Sequence, residues 1–213
     1  MSDLLLSRTL DPADYDHFTE ELKVVDAHAG GLPHPHRRWE YALALHAIWR
    51  WKQARNPHIV NAPIYDVGGG SGSPLHHMLD AWTGCDTYVI DPTVNTGPLE
   101  SFVRSGAVLA DVVTCISVIE HVPRLDEFLY HLSCLVAPGG LLILTMDYWN
   151  HCGPDTTENH TLRERLFCPQ TYARLRLQLQ PLHLTTFGGL DPTFHGNHVW
   201  QYTFASLVAE KRR

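Results

Sequence analysis

The sequence lacks several features that would place it in a specialised class of protein. Its five cysteines are odd in number and form no Cys-x-x-Cys pair, which argues against a disulfide framework and against a thiolate zinc site. No apolar run approaches the roughly 20 residues needed to cross a bilayer, and residues 1–10 lack the basic start and apolar stretch of a signal peptide. We therefore expect packed, reduced thiols in a cytoplasmic protein with no membrane span.

Positive charge is also scarce. The chain has 16 lysines and arginines against 23 acidic residues, a formal net charge of −7, and this balance provides no basic field for duplex nucleic acid. What the chain does have is 213 residues with 44% hydrophobic content, enough to bury one sizeable core. We predict an N-terminal extension over residues 1–36 and a single domain over residues 37–213.

Strand-like and helix-like segments alternate along that domain. Strands separated by helices imply parallel pairing through right-handed crossovers, and hence a doubly wound α/β sheet. Two later β-rich runs have no helical pattern between them and are predicted to form an antiparallel hairpin at one edge. Helices are predicted over residues 37–55, 74–82 and 125–136, and strands over residues 64–67, 87–90, 112–118, 141–146, 182–187 and 201–209.

A cluster of glycines follows the first predicted strand. The run from Asp66 through Gly68 and Gly70 to Gly72 fits the pattern D-x-G-x-G-x-G, whereas a dinucleotide fingerprint would need glycine where Ser73 stands. Glycines let the backbone approach a ligand and adopt positive φ, and the acid can accept hydrogen bonds from an amine or hydroxyl. Taken alone, the cluster is equally compatible with a tight turn, and an oxidoreductase of the dinucleotide-binding kind is disfavoured.

The second predicted strand ends in another acidic residue, Asp91, just before Pro92. An acid at this place in a doubly wound sheet can accept hydrogen bonds from the hydroxyls of a ribose. An isolated aspartate before proline is ordinarily a turn former. Together with the glycine turn, in a strand–turn–helix context, Asp91 predicts a cofactor site at the carboxyl ends of the strands.

These segments resemble the class I S-adenosylmethionine-dependent methyltransferases, specifically the small-molecule, methyltransferase type 11-like group. The resemblance is carried in order by residues 66–72, 89–92, 118–122 and 135–144. It implies a Rossmann-like sheet of seven strands, S-adenosylmethionine as the cofactor, and a small-molecule methyl acceptor such as a sugar or other metabolite, methylated at oxygen or nitrogen. The cofactor-binding residues predicted on this basis are Asp66, Gly68, Gly70, Gly72, Asp91 and Glu120.

One region departs from the family pattern. The family usually has a further strand, and a residue that contacts the adenine, between the ribose-binding acid and the strand that begins here at Asp111. In this chain only residues 92–110 intervene. We expect residues 100–110 to form a shortened strand, and no residue is assigned to the adenine.

The acceptor site is predicted at the ends of the third and fourth strong strands. Methyl transfer from a sulfonium is an in-line displacement, so the protein mainly aligns the acceptor and removes a proton from it. His121, Asp147 and His151 are the predicted catalytic residues, with Glu120 and Tyr148 nearby in sequence. Histidine titrates near neutrality, which suits proton removal, although a capping or packing role for His121 is equally compatible.

Three alternatives stay open from the sequence. The chain has 15 histidines, several in loop-like regions, but their spacing matches no zinc motif and no metal site is predicted. The aromatic residues of the first helix can form a lid over the acceptor or simply a packing face. The runner-up function is a non-catalytic binding or scaffold protein that retains a degenerate S-adenosylmethionine pocket.

Overall fold

A computed structural model describes Ser7, Thr9 and residues 14–28, 37–55, 63–94, 96–149, 167–188 and 203–213. The helices are α1 (Asp14–His17), α2 (Thr19–His28), α3 (Arg37–Ala54), α4 (Pro74–Thr83), α5 (Leu99–Arg104), α6 (Leu125–Leu135) and α7 (Pro169–Leu179). The strands are β1 (Ile64–Val67), β2 (Thr87–Ile90), β3 (Ala110–Ile116), β4 (Val136–Tyr148), β5 (Leu184–Thr186) and β6 (Thr203–Lys211). A 3₁₀ turn, Ile119–His121, follows β3.

The strands form one mixed sheet in the order β2-β1-β3-β4-β6-β5. Strands β1 to β4 are parallel, and β6 runs antiparallel to both β4 and β5. The predicted fold is therefore confirmed, with six strands in the described residues instead of seven. The shortened strand expected over residues 100–110 is wrong, because Leu99–Arg104 form helix α5 and only Ala110 begins a strand.

Both faces of the sheet are covered, which explains why its strands read as continuous apolar runs. Alternate strand residues point to opposite faces. Ile64 and Ile143 lie in one core with helices α2, α3 and α4. Tyr65 and Leu144 lie in a second core with helices α5, α6 and α7. The carboxyl ends of β1, β2, β3 and β4 are thus left as the edge of the sheet at which a ligand can bind.

Helix α3 lies where it was predicted, and its buried apolar residues pack in the core against one face of the sheet. Trp39 is fully buried, and Trp51 is buried with its indole Nε1 donating to the carbonyl oxygen of Gly139 at 3.3 Å. Trp49 remains 40% exposed, while Tyr41 is half-buried. Most aromatic residues of this helix therefore stabilise its docking onto the sheet.

The cysteines depart in one case from the expected reduced state. Cys85, Cys115 and Cys134 are free, whereas Cys168 is disulfide-bonded and none of these three is its partner. An odd number of cysteines with no paired motif does not predict a single bridge. Separately, no helix in the described ranges combines the length and apolar character needed to cross a membrane.

Candidate active site

The glycine turn is shaped by two residues with positive φ and by a helix cap. Gly68 has a φ of 82° and Gly70 a φ of 70°, values that residues with a Cβ rarely adopt. A Cβ on Gly68 would lie 2.4 Å from Cγ2 of Val118, so glycine is also required by space. Ser73 then caps α4 by accepting from the backbone N–H of His76 at 3.2 Å. The turn therefore carries the chain from β1 into α4 with its backbone close to the neighbouring strand end.

Asp66 supports this turn from inside the protein. Its carboxylate is 2% exposed, and it accepts hydrogen bonds from the hydroxyls of Ser73 at 2.5 Å and Thr114 at 3.0 Å. Burial raises its pKa, against the effect of these two hydrogen bonds. Both oxygens thus face the chain itself, which points to anchoring of the turn more than to direct contact with a ligand.

Asp91 lies at the end of β2, beside the turn. One carboxylate oxygen accepts from the backbone N–H of Thr93 at 2.8 Å and from its hydroxyl at 2.6 Å, and the other accepts from the backbone N–H of Gly70 at 3.1 Å. Partial burial would raise its pKa, but these hydrogen bonds outweigh burial and hold the pKa below its ordinary value. Asp91 is therefore an ionised acceptor, and its bond to Gly70 joins the end of β2 to the glycine turn.

A cavity of about 540 Å³ opens beside these residues, a size in the usual range for a ligand site. Leu99 of α5 and Phe128 of α6 supply apolar walls. Another cavity of the same volume, between α6 and α7, has no lining residue from the glycine turn. The first cavity is lined by residues that include Gly68, Asp91, Leu99, Val118, His121 and Phe128.

Charged residues collect at the ends of β3 and β4. Glu120 is 3% exposed, and its Oε2 has no hydrogen-bond partner among the described residues. Glu120 does not line the 540 Å³ cavity. Burial would lower the pKa of Arg37, but the negative charges of Glu40, Glu120 and Asp147 raise it. Arg37 thus pairs with Glu40 and is also influenced by the charges of the two other carboxylates at this end of the sheet.

Arg37 and Glu40 were not predicted as site residues. Both lie in the first turn of α3, where the guanidinium Nη1 is 3.2 Å from Oε2 of the fully buried Glu40. A signal was present in the sequence, because Glu40 is an acid on the helical stripe that continues through Leu43, Ala44 and Ala47, all of them buried. A charge on the apolar side of an amphipathic helix is rarely left without a partner.

The free energy of unfolding should fall as the pH rises through the acid range. Burial and then the charge of Asp147 raise the pKa of Glu120 well above its ordinary value, and burial also raises the pKa of Glu40 and Asp66. Between the ordinary and raised pKa, the folded chain keeps protons that the unfolded chain has lost, so rising pH favours unfolding.

Glu120→Gln cannot ionise and should make this decline shallower. Urea unfolding at pH values from about 4 to about 8 would measure it. Glu20→Gln is the matched control, since the Glu20 side chain is 71% exposed. Equal slopes for the unsubstituted chain and Glu120→Gln would contradict the burial of an ionisable group at position 120.

Of the three predicted catalytic residues, the structure describes His121 and Asp147 but not His151. His121 is exposed at the end of the 3₁₀ turn and lines the cavity. Asp147 is half-buried near the end of β4. His151 lies outside the described residues, as do several loop histidines. In the described ranges, no three His, Cys, Asp or Glu side chains are placed to hold a metal ion.

Comparison with known proteins bears on what such a strand-end cavity is for. A family model described as a methyltransferase domain matches residues 35–186, most of the chain. The chain belongs to this family. The methyltransferase family predicted from the glycine turn, Asp91 and the segment 118–122 is therefore confirmed. No curated protein matches the chain in sequence.

Solved structures share the fold at low sequence identity. The DszA carbon methyltransferase is 16% identical with a TM-score of 0.54, covering 81% of this chain and 54% of that one. The chain thus spans about half the length of that carbon methyltransferase. Magnesium protoporphyrin IX methyltransferase from Synechocystis PCC 6803, solved with bound S-adenosylmethionine, is 16% identical with a TM-score of 0.52, and the match covers 93% of this chain and 94% of that one.

A third structure extends the range of acceptors. Geranyl diphosphate C-methyltransferase from Streptomyces coelicolor A3(2), solved with Mg²⁺, geranyl diphosphate and S-adenosylhomocysteine, is 10% identical with a TM-score of 0.52. The match covers 87% of each chain. These likenesses show the fold, and they share no single acceptor.

Proposed function

We propose that the chain transfers the methyl group of S-adenosylmethionine to a small-molecule acceptor, at oxygen or nitrogen. One observation carries the proposal: the Gly70 N–H and the Asp91 carboxylate, from two neighbouring strand ends, meet at 3.1 Å beside a 540 Å³ cavity. Such a crevice at the carboxyl ends of parallel strands is where doubly wound sheets bind nucleotide-type ligands. The same cavity extends to His121.

The cavity fits the chemistry of the cofactor. Oδ2 of Asp91 accepts only the Gly70 N–H among the described residues, so a carboxylate oxygen retains capacity to accept from a ribose hydroxyl. Leu99, Val118 and Phe128 provide apolar surface for the adenine. The backbone at Gly70 and Gly72 is open for the methionine portion, because a Cβ on either residue would meet no heavy atom within 4 Å.

The acceptor would lie toward the acidic ends of β3 and β4. The bound sulfonium supplies a methyl group to a nucleophile that approaches in line. A hydroxyl acceptor must lose a proton, and an amine acceptor takes on the positive charge that leaves sulfur. His121 can accept a proton at the cavity, while the carboxylates of Glu120 and Asp147 favour positive charge nearby. This arrangement suits acceptors that carry a hydroxyl or amine.

Calorimetry tests the proposal directly. The purified chain should bind S-adenosylmethionine and S-adenosylhomocysteine but not NAD, because Ser73 stands where the dinucleotide fingerprint needs a glycine. Asp91→Ala should weaken cofactor binding by roughly 1.5 to 3 kcal/mol through lost charge-assisted hydrogen bonds. Asp86→Ala, at the exposed amino end of β2, should leave it unchanged. Binding of NAD with no binding of either adenosyl compound would refute the proposed function, and binding without turnover of any acceptor would favour the non-catalytic alternative.

A further inference from the structure

Ser117, the residue that follows β3, has an unusual backbone conformation. Its φ of 49° lies in the left-handed region, which is unfavourable for a residue with a Cβ. His183 is the other described non-glycine residue with a positive φ. Such a conformation persists when the surrounding structure imposes it, so the contacts of Ser117 identify what holds it.

Ser117 forms a closed ring of hydrogen bonds with Glu40 of α3 and Thr145 of β4. Its hydroxyl donates to Oε1 of Glu40 at 2.5 Å, and the hydroxyl of Thr145 donates to the same oxygen at 2.5 Å. The backbone N–H of Ser117 in turn donates to the Thr145 hydroxyl at 3.1 Å. Glu40 itself is fully buried on α3. Because charge-assisted hydrogen bonds are the stronger kind, this carboxylate is well suited to hold both strand ends.

The conformation of Ser117 sets one wall of the cavity. Ser117 and Val118 both line it, and Val118 lies against Gly68 so closely that a Cβ there would be 2.4 Å from Cγ2. A relaxed φ at Ser117 would shift Val118 and, with it, the 3₁₀ turn that ends in His121. We infer that Glu40 is a positioning residue, which through Ser117 fixes the wall of the cofactor cavity from helix α3. This inference rests on the proposed function, because it concerns the same cavity.

The test measures cofactor affinity alongside stability. Glu40→Ala should weaken the binding of S-adenosylhomocysteine about tenfold, the scale of one lost buried hydrogen-bonded group. Adding Ser117→Gly should restore part of that affinity, since glycine adopts positive φ without the ring. Adding His183→Gly instead is the matched control: it relieves the same kind of conformation at an exposed position and should restore no affinity.

Thr145→Val provides a second route that keeps the carboxylate. It removes one donor to Glu40 and one of the two acceptors of the Ser117 N–H, which keeps the backbone carbonyl of residue 145 at 3.2 Å. Affinity should again fall and be partly restored by Ser117→Gly. If Glu40→Ala does not fold, this pair carries the same comparison. Unchanged affinity in a folded variant, or equal rescue by His183→Gly, would overturn the inference alone. No binding by the unsubstituted chain would overturn the proposed function as well.

Discussion

Gly68→Ala should lower the free energy of unfolding by roughly 2 to 5 kcal/mol and largely abolish cofactor binding. The new Cβ would lie 2.4 Å and 2.9 Å from the two methyl carbons of Val118. Overpacking of this kind costs about 1 to 3 kcal/mol. The backbone adds a further penalty, since a φ of 82° costs a residue with a Cβ about 1 to 2 kcal/mol. Val118 is β-branched and stiff, so it cannot easily yield.

Alanine substitutions at two neighbouring glycines separate the cost of the steric clash from the cost of the backbone conformation. Gly70 has a φ of 70° but open space around a Cβ, so Gly70→Ala should show only the backbone penalty of about 1 to 2 kcal/mol. Gly72 has open space and no positive φ, so Gly72→Ala should stay within about 0.5 kcal/mol of the unsubstituted chain. Urea unfolding and calorimetry would measure the series. Equal stability for the alanine variants at positions 68 and 72 would contradict the close approach of Val118.

Asp147→Asn and His121→Ala should each lower methyl transfer by roughly 100-fold or more, the scale of lost general-base or charge stabilisation. His121 lines the cavity, and the negative charge of Asp147 acts on Arg37 and Glu120 at the neighbouring strand end. Neither residue is needed to hold the glycine turn, so cofactor affinity should stay nearly unchanged.

The experiment begins with a screen of small hydroxyl and amine compounds for release of S-adenosylhomocysteine. Turnover numbers of the variants are then compared on the acceptor found. Asp86→Asn, an exposed acid at the opposite end of the strands, is the control and should keep full activity. If both variants match the unsubstituted rate, the acceptor does not bind between His121 and Asp147. If they only lose thermal stability, His121 and Asp147 are structural residues.

Local signals explain why the glycine turn and the parallel sheet could be predicted. In contrast, helix α7 was missed because Arg174–Leu179 alternates polar and apolar residues, a period typical of a strand. In the structure Tyr172, Leu175 and Leu179 are buried at helical spacing, while Leu177 is 62% exposed. Packing of one helical face against the sheet therefore determines the secondary structure of this segment, and the local sequence pattern does not predict it.

The acidic end of the site was only half predictable for a related reason. Glu120 and Asp147 come just after the predicted strands 112–118 and 141–146, so the sequence identifies them as strand-end residues. Arg37 and Glu40 come from α3, more than 60 positions earlier in the chain, and only the packing of that helix brings Glu40 to Ser117 and Thr145. Long-range pairs of this kind depend on tertiary structure, which a one-dimensional reading does not contain.

The position of β6 in the sheet has a consequence for how the chain folds as it is synthesised. Strands β2, β3 and β4 each pair with a parallel strand that has already been made, so this half of the sheet can form progressively. Strand β5 has no such neighbour, because its only partner in the described sheet, β6, comes later and lies between β5 and β4. Until residues 203–211 emerge from the ribosome, the edge of β4 that later pairs with β6 keeps unpaired backbone N–H and C=O groups. Such an edge can pair with another chain. A single strand then closes the antiparallel half in one step.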